Sequence, residues 1–435
     1  MSESDGESLG RAGTGPDSQI RSLLGERIAD NADELIALCR NLVRIPSENP
    51  PGDTRRIAEY AAEFLGNIDG AAVEAVVDRE PFVNVTARVK GTSGGRRVVF
   101  NGHLDTFPAG ERSLWAADPF EALVKEGRLY GRGAADMKGG LAASMMAFKL
   151  LAELRQDWVG ELVLTLAADE ETMGEWGSAF LLKTRPYVRG DALICGDAGS
   201  PRVIRFGEKG MLWLELTARG RAAHGAHVHL GQNALDLLIQ AILKIQSLVQ
   251  SPVPTPEHVM RAIAQARAVS EPLAGAGETE VLTRVTVNLG TIHGGTSPNL
   301  VPAEAKASLD IRLPVGISAE AINKRISDLI GPMANVEVRI LARHDPTYSD
   351  PSGELFECLV RNGAEATGVR PVVNMRVGAS DTRLFRAQGI PSAVYGCTPH
   401  NMGGPNEFVT LEDLQTVFRV HALTAFDFLQ SAAGR

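Results

Sequence analysis

Three short, unbroken apolar runs interrupt a chain whose hydrophobic positions otherwise recur at helical or alternating spacing, and each run ends in charge. VVFNGH closes on His103, GELVLTLAADEE closes on Asp169, Glu170 and Glu171, and DALICGD closes on Asp197. Aliphatic, β-branched runs of this length predict strands covered on both faces, as in a parallel sheet flanked by helices. Open α/β sheets carry their chemistry beyond the carboxyl ends of such strands. The charged ends are therefore the first candidates for function.

The remaining pattern frames these strands. ERIADNADELIALCRNLVRI has apolar residues at helical spacing, and SENPPGDTRRIAEYAAEFL supplies a turn, a cap at Asp53 and a second helix. Strands are expected near 82–90 and 97–103, and MKGGLAASMMAFKLLAEL reads as a long apolar helix. From residue 205 the character changes. The second half of RFGEKGMLWLELTARG alternates like a strand with one exposed face, and the helix GQNALDLLIQAILKIQSLVQ follows. A Pro-broken, Ala/Gly-rich loop is expected over 251–277, then strands near 281–289 and 303–313, a helix near 318–330 and a strand at 336–342. That order is the order of a ferredoxin-like α+β layer. LEDLQTVFRVHALTAFDFLQ closes the chain as a helix. The expected fold class is α/β: helices around a mainly parallel central sheet in residues 23–204 and 346–435, with an α+β ferredoxin-like domain inserted over 205–345. Residues 1–22 are polar and rich in Gly and Ser, which predicts a flexible tail without the apolar core of a signal peptide.

Length and charge narrow the classes. A chain of 435 residues exceeds the size at which one core keeps growing, so two domains are expected. A net charge of −9, with no basic stripe, argues against nucleic-acid and anionic-membrane partners. No apolar stretch is long enough to span a bilayer, and a soluble, cytoplasmic protein is expected. Cys39, Cys195, Cys358 and Cys397 are scattered without metal-ligand spacing and read as reduced thiols.

His103 and Asp105, two apart at a strand end, share a side of the extended backbone. A carboxylate there can accept the second imidazole N–H and orient a metal-bound histidine. Asp136 stands at a helix entrance after a glycine-containing turn, where an N-cap is the alternative reading. Adjacent acids such as Asp169, Glu170 and Glu171 repel one another unless a cation holds them or the turn is solvated. Three strand ends carrying His103, Glu170 with Glu171, and Asp197, plus Asp136 on a loop, make up the ligand mixture of a hard-to-borderline divalent metal site.

The segments GHLDTFP, GRGAADMKGG, ADEETMG and CGD, in this order, resemble the M20 metallopeptidase and amidohydrolase family. Its members include glutamate-type carboxypeptidases, aminoacylases, acetylornithine deacetylase and succinyl-diaminopimelate desuccinylase. The resemblance implies that His103 and Asp197 hold one metal, that Asp136 bridges, that Glu171 belongs to a second metal and that Glu170 is the general base. It also implies that the inserted domain is a lid and dimerisation domain, so that the protein is a homodimer.

Within the insert, AAHGAHVHLGQNA carries His224, His227 and His229, which as a bare pattern is a solvated loop or a ligand set. The family's AHG segment implies a third role, in which His224 donates to the oxyanion in the neighbouring subunit. His227 and His229 have no such counterpart. GGTSPNLVPAEAKASLDIRLP resembles a further lid segment, making Asn299 and Arg312 candidates for holding a substrate carboxylate; a surface-paired strand arginine is the alternative for Arg312. GASDTRLF offers Arg383 as a second anchor and Asp381 as a helix cap.

One departure concerns the second metal. Where the family has a histidine three residues before its terminal Asn-Glu or Asp-Glu pair, TPHNMGGPNEFV has Gly403, and His400 lies three residues upstream. Either His400 reaches the metal or the second site lacks its histidine, leaving one tight divalent ion and a doubtful second. Zinc, manganese and cobalt all suit such a donor set. The expected reaction is hydrolysis of a C–N bond in a small N-acyl amino acid or dipeptide, with metal-activated water and Glu170 moving the proton. Two alternatives stand beside it: an aminohydrolase releasing ammonia from an amino-nitrobenzoate, and a non-catalytic metal-dependent binder. Retention of both Glu170 and Glu171 speaks against the binder.

Overall fold

The computed structural model describes residues 16–431. Of the expected tail over 1–22, residues 1–15 lie outside the described residues. The remainder is corrected, since helix α1 (Pro16–Asp30) already includes residues 16–22. Leu24 and Ile28 of this helix are buried, and the Arg21 guanidinium is fixed by Asp427 Oδ1 at 2.7 Å, so polar contacts as well as apolar ones hold it.

The described residues form two compact units, one of residues 16–201, 361–368 and 396–431, the other of 202–360 and 369–395. In the first, strands β1 (Ala72–Val77), β2 (Val83–Lys90), β3 (Arg97–His103), β4 (Glu161–Ala167) and β5 (Ala192–Cys195) lie in the order β1-β2-β4-β3-β5. The centre is parallel: β3 pairs with β4 on one side and β5 on the other, while β1 and β2 are antiparallel additions. Every residue of β4 and β5 is buried, as their unbroken apolar runs require. The register sets His103 beside Ala167 and Asn101 beside Cys195. All three charged run ends therefore leave the sheet at the same edge.

Helices α2 (Ala32–Arg44), α3 (Arg55–Gly66) and α4 (Gly139–Glu153) belong to this unit, as does the C-terminal helix Leu411–Gln430. The continuous helical spacing of ERIADNADELIALCRNLVRI is divided between two helices, α1 and α2, which meet at Asn31. Asp53 acts at the start of α3, where its carboxylate accepts the N–H of Arg55 at 3.1 Å. Residues 139–148 of α4 are entirely buried, which small side chains make possible. A Cβ at Gly140 would lie 1.7 Å from the Gly196 carbonyl oxygen. The glycine pair thus lets the start of α4 touch the end of β5, and so draws the segments bearing Asp136 and Asp197 together.

The second unit contains β6 (Val203–Glu208) and a four-stranded antiparallel layer of β7 (Gly210–Arg219), β8 (Thr286–Gly294), β9 (Glu304–Leu313) and β10 (Val336–His344), ordered β8-β9-β7-β10. With α5 (Ala234–Gln246) between β7 and β8 and α7 (Ala319–Ile330) between β9 and β10, this is the ferredoxin-like order. Leu212, Leu214 and Leu216 of β7 meet Leu238 and Ile242 of α5 and Ile322 and Ile326 of α7 in one core, with periods of two on the strand and four on the helices. The layer spans 210–344, whereas the compact unit extends beyond it.

The loop expected over 251–277 is corrected: α6 (Glu257–Ala274) occupies most of it. Its buried positions Val259, Ile263, Ala266 and Ser270 are spaced 4, 3 and 4 apart. Pro252, Pro254 and Pro256 precede the helix, where they break nothing, and its alanines are strong helix formers. The strand expected near 281 begins at Thr286, after a short helix, Glu278–Thr283. Among the described residues no helix is long and apolar enough to cross a membrane.

Candidate metal centre

His103 is the last residue of β3 and is buried. Its Nδ1 lies 2.9 Å from the Asp105 carbonyl oxygen and 3.4 Å from Asp105 Oδ1. A proton on Nδ1 is thus received mainly by the main chain, and Nε2 is turned toward Asp136 Oδ1, 3.1 Å away. The Asp105 carboxylate has further tasks. Its oxygens accept the N–H groups of Glu170 and Glu171, each at 3.2 Å, and the Asn49 side-chain amide at 2.8 Å. Asp105 therefore ties the end of β3 to the acidic turn after β4.

Asp136 sits in the turn Ala134–Lys138 ahead of α4, so its place at a helix entrance is as expected, but its carboxylate faces His103 instead of capping. Asp197 follows β5 and is buried; its Oδ1 accepts the Ala198 N–H at 2.5 Å. One ligand atom from each of His103, Asp136 and Asp197 lies within 4.8 Å of the other two. Glu170 stands beside them, with Oε2 at 4.0 Å from His103 Nε2. Asp169 turns away and accepts the Trp176 N–H at 2.8 Å, which makes it part of the loop's frame.

The electrostatics fit a cation. Burial, reinforced by the Asp136 carboxylate, pushes the Glu171 carboxyl up to about 11. Burial would lower the His103 pKa, but the Asp105 and Asp136 carboxylates outweigh it and hold it well above its usual value. Among the described residues Glu171 Oε1 is buried with no hydrogen-bond partner. A divalent ion bound there would offset several carboxylates at once. The donor set of one imidazole and several carboxylates fits zinc, manganese or cobalt.

His400 is not part of this group. Its ring is stacked on Phe408, with centroids 4.3 Å apart and planes 3° from parallel. Gly403 adopts φ +73°, and its carbonyl accepts from Arg132 at 3.0 Å. Arg132, Glu407 and Asn49, to which no sequence pattern points, hold the centre's loops. Glu407 receives the N–H groups of Ala135 and Asp136, and no spacing in a single sequence announces that contact.

The other candidates lie in the second unit. His224 is exposed, and its Nδ1 accepts the Ala226 N–H at 3.1 Å, which leaves Nε2 to carry the proton of the neutral ring as an outward donor. The His227 ring follows at 6.0 Å from that of His224, and His229 at 5.9 Å from His227. Asn299 accepts the Gly225 N–H through its carbonyl at 2.6 Å, so it is adjacent to His224. Arg312 is paired with Asp310 two residues away on β9, at 2.8 Å. Arg383 is buried and donates to the Ser380 carbonyl at 2.7 Å. Asp381 holds the N-cap position of Thr382–Arg386 without a side-chain cap bond, a correction to the expected cap. Cys39, Cys195, Cys358 and Cys397 are all buried thiols.

Between residues 99 and 427 the sequence matches the family described as Peptidase family M20/M25/M40. Succinyl-diaminopimelate desuccinylase of Rhodospirillum centenum is 29% identical over 393 residues, which span 88% of this chain and 94% of that protein. The M20 family metallo-carboxypeptidase Sso-CP2 of Sulfolobus solfataricus has a similar fold, with a TM-score of 0.76 at 20% identity over 91% of this chain and 100% of that one. Human carnosine dipeptidase 1 gives 0.75 at 18% identity over 94% and 99%.

Proposed function

The chain belongs to peptidase family M20/M25/M40, and on that premise we propose that it is a metal-dependent hydrolase of a small carboxylate-bearing amide, either an N-acyl amino acid or a dipeptide. The observation that carries this reading is the convergence of His103, Asp136 and Asp197 within 4.8 Å, with Glu170 beside them. These three would hold the ion. A bound divalent metal lowers the pKa of water toward neutrality and polarises a carbonyl. Glu170 would take the proton of the attacking water and return it to the leaving nitrogen. Asp105 would keep Glu170 in place through the main-chain N–H it accepts. His224, with its Nε2–H outward, would serve the oxyanion of a neighbouring subunit. Asn299, Arg312 and Arg383 would serve the substrate carboxylate; for Arg312 this requires exchanging Asp310 for the ligand.

The desuccinylase relative supports an N-succinyl amino acid as the first substrate to try. With the metal-loaded protein, release of free amine and succinate in equal amounts is the supporting result. Ammonia from an amino-nitrobenzoate would favour ring deamination, which the relatives do not. Ligand binding with no product of either kind would favour the binder.

A single tightly bound ion per chain is expected, because His103 already serves the first site and no second histidine joins Asp136 and Glu171, His400 being stacked on Phe408. Calorimetric titration with elemental analysis checks this. His400→Ala should leave the tight site unchanged; two tight ions, the second lost in that variant, would make His400 the displaced ligand.

The protein is further proposed to be a cytoplasmic homodimer formed through the ferredoxin-like layer. Exposed Ile239 and Leu243 on α5 support the dimer, and four cysteines held as buried thiols support a reducing compartment. Sedimentation at working concentration should give twice the chain mass. A fully active monomer would end both the dimer and the role of His224 in the partner's site.

A further inference from the structure

The turn that presents Asp136 is held from behind by a buried ion pair. Arg132 and Glu407 stand 275 positions apart in sequence, and each side chain is only 1% exposed. Glu407 Oε2 accepts from Arg132 Nη1, while Oε1 accepts the N–H groups of Ala135 at 2.8 Å and Asp136 at 3.2 Å. The Glu407 carbonyl accepts the Gly131 N–H at 2.9 Å, so main chain and side chain grip the same turn. On the other side, Arg132 Nη2 donates to the carbonyls of Gly403 at 3.0 Å and Gly404 at 3.1 Å, and the guanidinium lies over the Trp115 ring at 5.2 Å.

We infer that Arg132 and Glu407 are a positioning pair for the metal centre, fixing the peptide from which the Asp136 side chain departs and tying the 400–407 loop to it. The inference rests on the proposed role of Asp136 as a ligand. Two N–H groups anchored on one carboxylate oxygen define the plane of the peptide before Asp136, and with it the direction of the Cα–Cβ bond. A buried carboxylate this close to other acids needs a counter-charge, which Arg132 supplies. The same guanidinium holds the Gly403–Gly404 carbonyls, so the loop bearing His400 and the turn bearing Asp136 share one support.

The test compares metal affinity in the full-length protein, stripped of metal and titrated calorimetrically with manganese ions. Glu407→Gln keeps an acceptor oxygen but loses the charge. Arg132→Met combined with Glu407→Leu removes both charges and the acceptor while retaining bulk, which avoids stranding one buried charge. The double variant is expected to bind manganese roughly 10–100-fold more weakly than wild type, as outer-sphere partners typically do, with a smaller loss in Glu407→Gln. Unchanged affinity in a folded double variant would overturn the inference and leave the metal reading intact. Wild-type protein with no affinity, matching Asp136→Asn, would overturn the metal reading and the inference with it. Should the double variant fail to fold, amide exchange in the metal-free wild type decides: the Ala135 and Asp136 amides should exchange slowly, and free-loop rates for both would overturn the inference.

Discussion

Replacing His103 by alanine is expected to abolish both tight divalent-ion binding and turnover. His103 is the only nitrogen donor in the group it forms with Asp136 and Asp197, and it is held in place by Asp105 from the other side of the ring. Without it, buried carboxylates face one another with no imidazole between them. The loss of affinity should exceed the roughly 10–100-fold typical of outer-sphere changes. The variant should also lose the rise in melting temperature that an ion confers by binding only the folded state. An alanine variant that still melts higher when zinc or manganese is added would place the tight site elsewhere.

Glu170→Gln is expected to separate binding from chemistry. The amide keeps the size of the side chain, and the main-chain N–H of residue 170 can still donate to Asp105. Metal affinity and melting behaviour should therefore stay close to wild type. What disappears is the group that carries the proton, and a positioned general base contributes roughly 10²–10⁴-fold to rate. The fall should appear in kcat with little change in KM, because the lost interaction belongs to the transition state. A variant with near-normal kcat would remove Glu170 from the mechanism, and one that loses its metal would make Glu170 a ligand.

These two outcomes bear on different parts of the molecule's design. His103 tests whether strand ends converge on an ion, and Glu170 tests whether the adjacent turn supplies a base. The Arg132–Glu407 pair bears on a third part, the turn of Asp136, whose main-chain N–H groups Glu407 accepts.

By itself the sequence determined the class of the fold, the parallel strands at its centre and the identity of the groups at their carboxyl ends. Buried strands must be continuously apolar, so a charge at the end of such a run is conspicuous, and VVFNGH, LVLTLAADEE and ALICGD each show it. The ferredoxin-like order was legible for the same reason, as β7 alternates and α5 repeats at helical spacing. Helix α6 was not, because Pro252, Pro254 and Pro256 before it and Pro272 near its C-terminal end look the same in sequence as prolines that break a helix. Which oxygens face which partners was decided only by tertiary structure. The Asp105 carboxylate chiefly grips the turn of Glu170 and Glu171, the His400 ring is stacked on Phe408, and Glu407 reaches the turn of Asp136 from the far end of the chain. Periodicity reports whether a position is buried because burial recurs with the geometry of each element. It carries no information on contacts between residues hundreds of positions apart, which arise only when packing brings their loops to one edge of the sheet.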